Sequence, residues 1–215
     1  MAVSDGDNAM DSIFAQALAE VSGRPVMEPD APTDLYTDGS CLDPGKPWAA
    51  AGWGVHVANS DQMGDYYGAL PGSSQTSSRA ELSAIAAALQ LAWASTHRHS
   101  RICTDSEYAR KGIVQWVAKW KRAGWRKASG GEVSHADIWR QIDGWMQKFV
   151  SSEFDDGGKR TVRFVHVRAH TGIAGNERAD ELAGKGSKLR HTLMVNSQPR
   201  GWFRKVVEKY WGRRV

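Results

Sequence analysis

Hydrophobic positions along the chain change period several times, and each change marks an element. Met10, Ile13, Phe14, Ala17, Leu18 and Val21 recur at helical spacing within MDSIFAQALAEVS, predicting a short amphipathic helix. SGRPVMEPDAP follows with the glycine and proline content of a linker. Near Asp34 the pattern shortens. LYTDGSC reads as a strand ending in turn residues, and AAAGWGVHVAN and DYYGAL read as two further strands of a meander. Period 3.6 returns at Ser78, where Leu82, Ile85, Ala86, Leu89 and Trp93 line one helical face. RICTDS is a buried strand leading into a turn, and EYARKGIVQWVAKWK continues as one or two helices broken near Gly112. ADIWRQIDGWMQKFV carries Ile138, Ile142, Trp145 and Phe149 on one stripe. TVRFVHVRAH alternates as a strand, and NERADELAGKG predicts a helix stopped by glycine.

This order, β-β-β-α-β-α-α-α-β-α, predicts an α/β domain: a mixed sheet with helices packed on both faces. Residues 34–189 form that core, preceded by an extension over 1–33 and followed by a tail over 190–215, whose WFRKVVEKYW again has helical spacing. There is no internal repeat.

Composition adds a partner class. A hydrophobic fraction of 41% and a charged fraction of 24% describe a globular domain, and the net charge of +4 conceals strong segregation. Residues 1–33 hold six acids and one base, residues 111–127 six bases and no acid, and residues 190–215 seven bases and one acid. Within QWVAKWKRAGWRK, residues 115–127, three tryptophans interleave with five bases, which points to a polyanion rather than to a merely solvated face. No apolar run is long enough to span a membrane, and the acidic N-terminus lacks the order of a secretory signal. The two cysteines, Cys41 and Cys103, lack metal-ligand spacing and read as reduced thiols in a cytoplasmic protein.

Four acids sit where an acid is awkward unless it is used. Asp38 interrupts the strand LYTDGS, Asp105 closes RICTDS, Glu81 lies in the first turn of SSRAEL, and Asp180 lies one turn into NERADELA. If the strands of Asp38 and Asp105 are parallel neighbours, their carboxylates meet beyond the strand ends. An oxygen-only cluster of that kind suits Mg²⁺ or Mn²⁺ rather than zinc. Each acid also has a plain structural reading. Ser78-Arg79-Ala80-Glu81 fits a capping box, Asp38-Gly39 fits a turn, and Asp180 fits a solvated helix position.

YTDGSC, SSRAEL, TDSEYARKGIVQW and RAHTGIAGNERADELA, in this order, resemble the type 1 ribonucleases H, specifically the bacterial ribonuclease HI type with a basic protrusion. The resemblance covers residues 34–189. It implies the ribonuclease H-like three-layer α/β/α fold with a five-stranded mixed sheet. It also implies endonucleolytic hydrolysis of the RNA strand of RNA–DNA hybrids by a two-metal-ion mechanism, leaving 5′-phosphate and 3′-hydroxyl ends. Asp38, Glu81, Asp105 and Asp180 match the family's metal-binding carboxylates, His170 its catalytic histidine, and Glu177 an acid that can approach one metal. Two Mg²⁺ ions per site are implied, with Mn²⁺ as a substitute. The alternatives are a ribonuclease H-like nuclease for double-stranded RNA or a DNA junction, and a non-catalytic nucleic-acid-binding module.

Residues of about 114–128 match the basic protrusion. Trp116 and Trp120 can either contact sugars or pack into the domain. Lys119, Lys121, Arg122, Arg126 and Lys127 would contact phosphates, with Trp125 bracing the loop. Thr76 matches a pocket for a DNA-strand phosphate, and Ser77 and Ser78 stand where the family often carries asparagines that read 2′-hydroxyls. Asp43 in the loop LDPGKP and Glu107 after Asp105-Ser106 also depart from the pattern. A monomer is expected, with the extensions open to a protein partner.

Overall fold

The computed structural model describes residues 31–59, 64–95, 97–151 and 158–189, together with the backbone of 193–195. The helices expected over residues 10–22 and in the tail, and the linker, lie outside the described residues.

All five expected strands are present. β1 (Thr33–Leu42), β2 (Ala50–Ala58) and β3 (Asp65–Ala69) form an antiparallel meander, while β4 (His99–Thr104) and β5 (Thr161–His166) join the other edge in parallel. A short β6 (Leu193–Val195), beyond the expected core boundary at residue 189, pairs antiparallel with β3, and the order is β5-β4-β1-β2-β3-β6. The helices are α1 (Ser77–Ala94), α2 (Glu107–Lys111), α3 (Val117–Arg122), α4 (Ala136–Ser151) and α5 (Ala174–Lys188).

Alternation along β1 and β2 sorts residues onto two faces. Leu35, Val55, Val57 and Trp53 point to the side covered by α1, with Ile85, Leu89, Ile102, Trp139 and Ile142 completing one buried cluster. The pattern predicts an apolar stripe on α1, yet every residue from Leu82 to Ala92 is buried. The reason is that α4, as well as the sheet, packs on α1, so more than one side of the helix is covered. The second face carries α5, packed on β1, β2 and β3.

Two glycines permit contacts that a side chain would block. Gly39 lies against the backbone of Ala80 and Glu81, and Gly112 lies under the ring of Trp139. The expected break near Gly112 is instead one π-helical turn, Gly112–Trp116, in which the Val117 N–H reaches the Gly112 carbonyl; helical geometry continues from residue 107 to 122. The expected glycine stop after NERADELA is also replaced. α5 runs through Gly184 and Gly186 to Lys188, because Gly186 sits against the carbonyls of Gly68 and Trp53 and serves packing.

Gly39→Ala is expected to destabilise the fold by about 1–3 kcal/mol, because its methyl group would overlap helix backbone rather than a flexible side chain. Urea denaturation would show this as a lower midpoint at unchanged slope.

Candidate active site

The parallel register of β1 and β4 ends with Thr37 opposite Thr104. The next residue of each strand is an acid, so Asp38 and Asp105 emerge side by side at the carboxyl ends. Gly39 lets the backbone of α1 approach until Glu81 stands beside Asp38. From the other face, the Ala179 carbonyl of α5 packs on Gly54, the register partner of Asp38, which brings Asp180 to the same place. Four acids far apart in sequence are thus joined by one strand pairing and two close helix contacts.

Their electrostatics follow from that placement. Burial, then the charge of Asp105, push the Asp38 carboxyl up to about 7; the Gly39 N–H bonded to it opposes the rise, and Asp180 and Glu81 add to it. Burial also raises Glu81, opposed by the Ser106 hydroxyl and reinforced by Asp105. None of the four acids is in an ion pair among the described residues. Three are held by neutral donors. The Gly39 N–H donates to Asp38 Oδ1 at 2.7 Å, the Ser106 hydroxyl donates to Glu81, and the Asn176 amide donates to Asp105 Oδ2 at 3.0 Å.

The capping-box reading of Glu81 is corrected. Thr76, not Ser78, caps α1 by accepting the N–H of Arg79 at 3.2 Å, so Glu81 lies beyond the capping position and turns to Ser106. Ser77 is exposed and Ser78 half-buried beside that cap. Ser106 and Asn176 had no assigned role in the sequence, since their meaning depends on partners 25 and 71 residues away.

Among the described residues, no three His, Cys, Asp or Glu side chains close into a ligand cage. A small hard cation keeps several waters and binds through one or two carboxylates plus substrate phosphate oxygens. The unpaired, mutually repelling oxygens fit such an ion; a thiolate or imidazole set would not.

His170 lies on the exposed loop between β5 and α5 with φ +50°, next to Thr171, whose hydroxyl donates to the Arg168 carbonyl at 3.0 Å. The expected strand through His170 ends at His166, where the sheet gives way to this loop. Glu177 is exposed in the first turn of α5. Glu107 is engaged elsewhere: Arg110 above all, and Lys111, hold its carboxyl down at about 2.

The protrusion resolves into two layers. Trp116 and Trp120 turn inward, their ring centroids 5.5 Å apart, and Trp120 stands 5.5 Å from Trp139 while Trp116 stands 5.9 Å from Tyr108. Both rings are half-buried, and Trp120 packs against the core cluster. Trp125 takes φ +63° after Gly124, its N–H donates to the Trp120 carbonyl at 2.6 Å, and the Arg140 guanidinium lies over its ring. Lys121 is drawn to Asp143 on α4 at 2.9 Å, an anchor rather than a free cation. Lys119, Arg122, Arg126 and Lys127 are exposed and have no acidic partner among the described residues.

The family model described as RNase H matches residues 30–188. Ribonuclease H of Cyanothece sp. is 38% identical over 163 residues, covering 74% of this chain and 94% of the relative. Ribonuclease H of Neisseria gonorrhoeae is 36% identical over 161 residues, covering 74% and 97%. Among solved structures, LC9-RNase H1, a type 1 RNase H with the type 2 active-site motif, is similar at TM-score 0.59 and 25% identity, covering 82% of each chain. A foamy viral protease-reverse transcriptase in complex with RNA/DNA hybrid is similar in fold at TM-score 0.60 and 23% identity, covering 76% of this chain and 21% of that one.

The raised carboxyl of Asp38 sets a pH dependence for the metal-free protein. Its stabilising proton is fully held below the unfolded value of 3.8 and is lost as pH rises through about 7. With chelator present, Asp38→Asn should exceed the unsubstituted chain in stability at pH 8, by at most about 4 kcal/mol, and the gap should narrow toward pH 4. Urea denaturation at both pH values checks this; a gap independent of pH would contradict it.

Proposed function

The chain belongs to the ribonuclease H family, and from that premise we propose that Asp38, Glu81, Asp105 and Asp180 are its metal-binding carboxylates, with Mg²⁺ as the physiological ion and Mn²⁺ as a substitute. The activity of the family is endonucleolytic cleavage within RNA–DNA hybrids, with divalent-metal dependence, and the chain is an enzyme of that class. The observation that carries the residue assignment is the convergence of four acids without a cationic partner, three of them oriented by neutral donors.

The chain's own groups divide the work. The carboxylates concentrate negative charge where a phosphodiester must come, so the phosphate can approach only with counter-cations between. Divalent ions supply activation of water and stabilisation of the departing oxygen. Asp38 and Asp105, projecting from adjacent strand ends, offer the most rigid oxygens; Glu81 and Asp180 approach from helices on opposite faces. His170, exposed on its loop, is suited to take up or release a proton at its imidazole beside the cut. Glu177, exposed one turn from the helix start, can face the same ions.

Outside the cut, Arg122, Arg126, Lys127 and Lys119 grip phosphates of the DNA strand on a scaffold of tilted, packed rings. Thr76 and Ser77, both exposed, and the half-buried Ser78 border the site for backbone or 2′-hydroxyl contacts, with shorter reach than asparagine. Among the described residues no helix is long and apolar enough to cross a membrane, and the chain is read as a cytoplasmic monomer.

Two experiments test this. With Mg²⁺, the purified protein should cut a matched RNA–DNA hybrid but neither duplex RNA nor duplex DNA, and Asp105→Asn should abolish cleavage; equal cutting of all three duplexes would reject the substrate. Neutralising Arg122, Arg126 and Lys127 together should raise KM and lower the slope of log affinity against log salt by about 3. Lys121→Ala alone should change that slope by less than about 1, since Lys121 is tied to Asp143.

A further inference from the structure

Asn176 lies in the first turn of α5, is 3% exposed, and donates from Nδ2 to Asp105 Oδ2 at 3.0 Å. Its own Oδ1 is buried with no hydrogen-bond partner among the described residues. Exchanging the amide oxygen and nitrogen would not relieve this, because two acceptors would then face each other across the contact. The amide therefore leaves one buried acceptor unsatisfied in order to orient one carboxylate, an arrangement that costs stability.

Asp180 stands four residues later and shares a helix face with Asn176. The contact to Asp105 thus ties β4 to the same stretch of α5 that delivers the fourth acid. A lysine or arginine at this place would hold Asp105 equally well, but its charge would cancel the potential that attracts a cation. An amide orients one oxygen and leaves the charge intact.

We infer that Asn176 is a positioning residue for the metal site: it fixes the Asp105 carboxylate and the register of Asp180 without neutralising either. This rests on the assignment of the four acids as metal ligands. Hydrogen-bond partners of metal ligands typically change metal affinity ten- to a hundredfold when removed. Loss of Asn176 weakens cation binding by that factor, while the substrate-gripping cations of the protrusion, on other elements, are untouched.

The test is Mn²⁺ binding to the free full-length protein, read by electron paramagnetic resonance or calorimetry, for the unsubstituted chain, Asp105→Asn, Asn176→Leu and Asn176→Ala. Leucine matches asparagine in size and removes both the donor and the unsatisfied oxygen, so its thermal midpoint should be unchanged or higher. Its Mn²⁺ affinity should fall about tenfold or more, with KM for hybrid at saturating Mn²⁺ within about twofold of the original. Alanine gives the same reading should leucine disturb the fold. If the unsubstituted chain and Asp105→Asn bind Mn²⁺ equally, the assignment of the acids fails. If the unsubstituted chain binds, Asp105→Asn does not, and both folded Asn176 variants bind as tightly as the original, the role of Asn176 alone is overturned.

Discussion

Mutual repulsion among Asp38, Glu81, Asp105 and Asp180 is opposed by packing that allows none of them to move away. Asp38 and Asp105 are fixed by strand pairing, Glu81 by the contact of α1 with Gly39, and Asp180 by the contact of α5 with Gly54. Burial first, and then the charge of the neighbouring acids, force the Asp38 carboxyl up to about 7. That tension sets the chemistry, because a cation entering the site relieves it. The buried cluster of Leu35, Trp53, Leu82, Ile102 and Trp139 supplies the rigidity on which the site depends.

Positive charge is kept on separate elements. The protrusion is built around Tyr108, Trp116, Trp120 and Trp139, whose rings pack in tilted and edge-on pairs and leave the bases of α3 and the following loop in solvent. Glu132 and Asp143 take up Arg140 and Lys121, and those pairs hold the loop to α4. Exposed ion pairs contribute little stability individually, so the rings carry most of the anchoring. Among the described residues, no base of the protrusion forms an ion pair with the four acids.

Much of this was legible in the residues alone. Period-2 and period-3.6 patterns found every described strand and helix of the core, and the placement of Asp38 and Asp105 beside strand ends already implied that they would meet if the strands were parallel. The misses share a cause. The helix-start reading of Glu81 failed because a threonine two residues before the expected cap was the better placed acceptor. Glycines near the end of α5 looked like a stop signal, whereas their role is close contact with β2 and β3. Glu107 stood out only as a departure from the family pattern, and Arg110 and Lys111 one turn later on its own helix claim it.

The sequence by itself determined the element order, the chemical class of the site and the segregation of charge, because these depend on periodicity and residue type within short windows. Only the tertiary structure decided which tryptophans face inward, that Lys121 is an anchor, and that Ser106 and Asn176 orient acids remote in the chain. Those are properties of distance and direction between side chains. A hydrogen bond acts over about 3 Å, and no spacing along the chain encodes which distant residue will stand within that reach.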